Sequence, residues 1–199
     1  MNYKNLFKLS TLVVFFTLVF SSMTFGQVTY YVDVINGLDG YNGLSATAQG
    51  GGVGPKQTIN NAIAAASNGD VIVVAYANGN LYNENVVLVD KKLTFNSTGG
   101  TPSVVSFVVN NTLAAPNNTT TFGGPFKFNN GLGLTAGKVV GANNLTVGAT
   151  VVRTAGEVDA QLNYSGVVNF TYNGGAAVTS GFELPAAGNA TNFGNLTTT

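Results

Sequence analysis

Residues Pro55 to Asp90 read PKQTINNAIAAASNGDVIVVAYANGNLYNENVVLVD, and this stretch decides the fold. Pro55 fixes its own φ and lacks the N–H that a first helical turn leaves unpaired, while Thr58 or Gln57 can supply early polar contacts. Ile59, Ala62, Ile63 and Ala66 then recur at helical spacing, giving a narrow apolar stripe with Asn60 and Asn61 on the other side. Ser67, Asn68 and Gly69 stop the helix, since Gly accepts the left-handed conformation found just past many helix ends. A helix of about ten residues with little charge is marginal alone, so it is expected to lie on apolar structure. Val71 to Val74 follow at once as a β-branched run suited to a strand covered on both faces. Asn85 to Val89 and Lys92 to Phe95 continue in strand composition, separated by Asp90 and Lys91.

Working outward, YYVDVINGLDGYNG at 30–43 precedes this stretch and YNENVVLVDKKLTF at 82–95 closes it. Together with GPKQTINNAIAAASNGDVIVVA at 54–75, these segments resemble the amino-terminal entry of secreted right-handed parallel β-helix proteins of the pectin-lyase-like class. The resemblance implies an extended segment and a short helix capping the first coil, with Asp70 and Glu84 serving that cap. It also implies polysaccharide lyase or hydrolase chemistry as an expectation, because the class contains such enzymes.

Residues 1–26 are predicted to be a signal peptide. Lys4 and Lys8 make a basic start, Leu9 to Phe20 an apolar run, and Thr24 and Gly26 small residues before a cut ahead of Gln27. The run is shorter than the ~20 apolar residues needed to span a bilayer, so secretion, with no membrane span after removal, is expected. The domain reading is then 27–54 as an N-terminal strand with a turn-rich loop, and 55–199 as capping helix and β-repeat region. Cys is absent, so cohesion must come from ladders and packing. Charged residues are 8% of the chain, against about 25% in ordinary proteins, and no basic patch offers a nucleic-acid partner.

Beyond Phe95 short strands alternate with Gly- and Asn-rich corners. The candidates are Ser103 to Val109, Phe126 to Phe128, Lys138 to Val140, Leu145 to Val147, Thr150 to Arg153, Leu162 to Tyr164 and Val167 to Tyr172. A parallel stack predicts Asn ladders along the axis and Val, Leu and Phe filling the bore, in roughly five coils of 20 or more residues. The phrases NNGLGL at 129, NNLTVG at 143 and GNLTTT at 194 are similar but irregularly spaced, and an irregular or antiparallel continuation after residue 100 stays open. The stretch LTAGKVVGANNLTVGATVVRTAGEV, with GGAAVTSGFELP, resembles repeats of large bacterial surface proteins exported by a type IX route. Asn195 to Thr199 offers no recognisable terminal cap, so the natural protein is expected to continue.

His and Cys are both absent, which removes imidazole bases, thiol nucleophiles and the commonest zinc ligands. The Gly-rich segment at 50–56 lacks the Gly-Lys-Ser/Thr order of a phosphate loop. Glu157 and Asp159, two apart, would share one side of a strand, with Arg153 nearby; they are the catalytic candidates, and an exposed turn rim is the alternative reading. Asp33, Asn36, Asp39 and Asn42 supply oxygen ligands dense enough for Ca²⁺, while Asx turns explain the same residues. No other cofactor is indicated. Tyr30, Tyr31, Tyr41, Tyr76, Tyr82, Tyr164 and Tyr172, with Asn and Thr rows, can face an extracellular polysaccharide or cell-surface glycan or simply pack in strands. The sequence therefore predicts a secreted or cell-surface right-handed parallel β-helix with a structural, adhesive or glycan-contacting role. The alternative is a polysaccharide lyase or glycoside hydrolase.

Overall fold

The computed structural model describes residues 26–174, 180–186 and 191–199. The predicted signal peptide lies outside them except for Gly26. Fourteen strands are described: β1 Thr29–Val32, β2 Val71–Ala75, β3 Leu81–Val89, β4 Thr94–Thr98, β5 Ser103–Asn110, β6 Thr119–Phe122, β7 Phe126–Ala136, β8 Lys138–Val140, β9 Leu145–Val147, β10 Thr150–Arg153, β11 Glu157–Val158, β12 Asn163–Tyr164, β13 Val168–Tyr172 and β14 Phe193–Thr198. The helix α1 spans Ile59–Ala65, and a 3₁₀ turn covers Ala142–Asn144.

Every pairing between these strands is parallel. One sheet stacks β1, β2, β4, β6, β8 and β11 in that order. The second bends into two rows, because the first half of β7 pairs with β9 while its second half pairs with β10. The chain therefore winds as a β-solenoid of about five turns. Parallel stacking continues past residue 100, so the antiparallel alternative is not what the later strands adopt.

The register explains which side chains fill the bore. Val86, Phe107, Leu132, Val151 and Phe170 lie one above another, and all are buried. Ile72, Phe95 and Phe122 form a second column. Phe95 and Phe122 stack at 5.3 Å, and Phe107 meets both edge-on at 5.2 and 5.3 Å, so the centre is an aromatic cluster. Thr120 is fully buried, with its hydroxyl unpaired among the described residues.

Two expectations need correcting. The run Val71 to Val74 alternates between half-buried and buried positions, because only one face of each solenoid sheet meets the bore. The continuous Asn ladders do not form either. The outward column through Asn85 reads Asn85, Ser106, Gly131, Thr150, Asn169, so amides stand too far apart to bond one another. Isolated rungs replace them: Ser106 Oγ donates to Asn85 Oδ1 at 2.6 Å, and the Asn195 amide to Asn169 Oδ1 at 2.9 Å.

α1 closes the first turn. Ile59, Ala62 and Ile63 are its buried residues, and Thr58 caps it by accepting from the Asn61 amide through its hydroxyl. At the other end Lys91 Nζ donates to the carbonyls of Ile63 at 2.6 Å and Ala66 at 2.7 Å, placing a cation where the helix dipole is negative.

Candidate functional site

The chain has eight acidic residues, all among the described ones, and seven of them accept hydrogen bonds from backbone amides. Glu84 takes Ile59 N and Asn60 N, Asp39 takes Gln57 N and Thr58 N, and Asp70 takes Val28 N and Ser67 N. Asp33 holds its own turn through Ile35 N and Asn36 N, Asp90 holds Thr112 N, and Asp159 holds Gly141 N and Ala142 N. The seventh is Glu183, which accepts from Gly181 N. The eighth, Glu157, pairs with Lys138 across one turn at 3.6 Å. Most of these bonds join residues 17 or more apart in sequence, so the carboxylates tie one turn to the next.

Electrostatics follow the same geometry. Burial raises the carboxyl of Glu84, the Asn60 and Ile59 amides pull it back, and the net result is upward. For Asp33 the upward pull of burial is outweighed by the Asn36 side chain and the Asn36 and Ile35 amides, and the result is downward. Asp90, in full contact with water, is lowered by the Thr112 amide and hydroxyl.

The predicted calcium ligands Asp33, Asn36, Asp39 and Asn42 each take part in hydrogen bonds within the protein. Asp33 binds Asn36 through Nδ2 as well as its amide, Asn42 Oδ1 accepts from Leu44 N, and Asp39 faces the start of α1. Among the described residues no three acidic side chains gather at one point. The predicted catalytic trio also separates. Glu157 is exposed beside Lys138, Asp159 caps the 3₁₀ turn, and Arg153 points into the bore. The tyrosines are scattered too: Tyr82 is buried with its hydroxyl on Ala75 O, Tyr30 bonds Ala65 O, and Tyr76 is exposed beside Gly100.

Arg153 leads to a group the sequence reading missed. Its inward column runs Leu88, Val109, Leu134, Arg153, Tyr172, so an apolar column becomes ionic and phenolic in the upper turns. Glu183 meets it there, with 1% of its surface exposed. Its Oε1 accepts from Arg153 Nη1 at 2.6 Å, Tyr172 Oη at 2.8 Å and Gly181 N at 2.9 Å. Tyr164 donates its hydroxyl to the Glu183 carbonyl, and Gln161 Nε2 donates to Leu184 O at 2.7 Å. Burial pulls the Glu183 carboxyl upward, but the Gly181 amide, Tyr172 hydroxyl and Arg153 guanidinium outweigh it and the carboxyl is held low. Burial and the nearby carboxylate push the Tyr164 and Tyr172 hydroxyls upward. The one signal for this group in the sequence is that a lone Arg at an inward position needs a buried counter-charge.

On the outer surface a groove of about 320 Å³ runs along β7. Gly133 forms its floor, Val108 and Val152 from the turns on either side form its walls, and Ser106, Asn130 and Thr150 supply polar atoms. Gly131, at φ 150°, is required here, since a Cβ would fall on the Thr150 carbonyl oxygen. None of the groove's lining residues is charged. Compared with protein-family models, curated proteins and solved structures, the chain matches none.

Proposed function

We propose that this protein is a secreted or cell-surface β-solenoid of the pectin-lyase-like class, with a structural and adhesive role and contact with neutral extracellular glycan along its outer faces. The single observation behind this reading is the placement of the carboxylates: seven brace backbone amides and the eighth pairs with a lysine. A chain that commits its acidic side chains to bracing turns is suited to being rigid and durable. The uncharged groove over β7 is where such a chain would meet a neutral polymer, its hydroxyl and amide rim matching sugar hydroxyls and its Val–Gly floor the apolar sugar face. The resemblance of residues 134–158 to type IX-exported repeats supports a bacterial surface as the setting for that role.

The test is co-sedimentation of the purified chain with a panel of insoluble and surface polysaccharides, repeated with Val152→Asp. Binding to a neutral glycan that Val152→Asp abolishes supports the reading. Retention on none of the polymers contradicts the glycan contact. Release of reducing or unsaturated sugar ends would instead favour the lyase or hydrolase alternative.

A further inference from the structure

In the last turn the chain is held differently on different sides. β14 docks on β13 through a parallel ladder in which Leu196, Thr197 and Thr198 lie beside Phe170, Thr171 and Tyr172. Over β12 there is no such ladder among the described residues. One long backbone bond, Leu162 N to Phe182 O at 3.4 Å, is joined there by side chains that reach up from the turns beneath. Arg153 and Tyr172 hold the Glu183 carboxylate, Tyr164 holds its carbonyl, and Gln161 holds the Leu184 carbonyl.

We propose that residues 181–184 are a separable plug, latched over the bore by Glu183, whose release uncovers the edge of β12 and the inward faces of Leu162 and Tyr164 while the turns beneath stay folded. Segments anchored mainly by side chains open at lower free energy than those in a continuous ladder. The latch is also incomplete, because Glu183 Oε2 is buried with no hydrogen-bond partner among the described residues. A buried ion pair contributes little net stability over an apolar filling of the same shape, yet losing one partner is costly. Such a pair therefore closes the bore in one defined position without making the closure permanent. Leu184 packs partly against the core and Phe182 stays largely exposed, so the plug carries apolar surface on both sides.

Hydrogen exchange of the full chain, read by mass spectrometry, tests this with Glu183→Gln and Tyr172→Phe. Glu183→Gln is expected to speed exchange at least tenfold in residues 160–165 and 181–184 and to leave 93–140 unchanged. Tyr172→Phe keeps the ring and removes one of the bonds to Oε1, so it is expected to give a smaller increase in the same segments. Unchanged exchange at 160–165 in both variants overturns the proposal. So does acceleration that spreads through 93–140, or a Glu183→Gln chain that fails to fold, because either result makes the plug inseparable from the turns below.

Discussion

Glu84, on a strand of the first turn, closes the N-terminus of α1: its Oε1 accepts from Ile59 N at 2.7 Å while Oε2 accepts from Asn60 N at 3.0 Å. The contact joins a local element to a strand 25 residues later, so the cap and the first turn stabilise each other. Glu84→Ala leaves two partly buried amides without that partner, and the expected loss is about 1–3 kcal/mol. Urea denaturation of the two chains checks this, and an unchanged midpoint would mean that the carboxylate does not hold the helix.

Buried Glu183 and half-buried Glu84 are expected to drive pH dependence in opposite directions. Glu183 is held below its ordinary value, so its contribution is present above the unfolded value of about 4.3 and is lost as pH falls through the lower folded one. Glu84 is raised, so its contribution is full below about 4.3 and fades as pH rises through the higher folded value. Denaturation midpoints between about pH 3 and 7 should show Glu183→Gln flattening the acid loss. Glu84→Gln should flatten the opposing slope just above it. Identical pH profiles for both variants and the parent chain would contradict these assignments.

The aromatic cluster should dominate stability. Phe122 stacks on Phe95 and meets Phe107, Phe126 and Phe128 within 5.8 Å, so truncation leaves a cavity that four rings cannot readily fill. Phe122→Ala is expected to cost about 3–5 kcal/mol by thermal or chemical unfolding. A loss below about 1 kcal/mol would mean that the bore is loosely packed.

Ala149 sits at φ 53° in the corner between β9 and β10, a conformation that costs a residue with a Cβ roughly 1 kcal/mol or more. Ala149→Gly relieves that strain and is expected to leave stability unchanged or slightly raised, despite the greater freedom Gly has when unfolded. A clear drop in melting temperature would show that the methyl group packs productively.

How much of this was legible in the sequence depends on how local each signal is. The apolar stripe places the helix correctly because it is a local feature, but the helix of about ten residues expected from Pro55 is shorter: it forms at Ile59–Ala65, opened by Thr58 and ended by an extended Ala66 before Gly69 is reached. Lys138–Val140, Leu145–Val147 and Thr150–Arg153 were also read correctly, each bounded by turn residues. The strand beginning at Phe126 was cut short at Phe128, since Gly131 and Gly133 look like a corner when they are in fact the floor of a groove within β7. Thr119–Phe122, Glu157–Val158 and Phe193–Thr198 carried too little apolar alternation to be noticed. The phrases NNLTVG and GNLTTT looked like repeats, yet they lie in different rows of the solenoid, in β9 and β14. Glu183 escaped because its partners Arg153, Tyr164 and Tyr172 come from three other strands.

The most direct test of the account is the direction of neighbouring strands, and the absence of native Cys makes it clean. In β3 and β5 the parallel register places Asn85 beside Ser106 and Val89 beside Asn110. Paired cysteines there are expected to form disulfides on mild oxidation, since neighbouring strands bring Cα atoms within the ~4.4–6.8 Å a disulfide spans. Rapid crosslinking of the exchanged pairs, Asn85→Cys with Asn110→Cys and Val89→Cys with Ser106→Cys, would show antiparallel strands and contradict the solenoid.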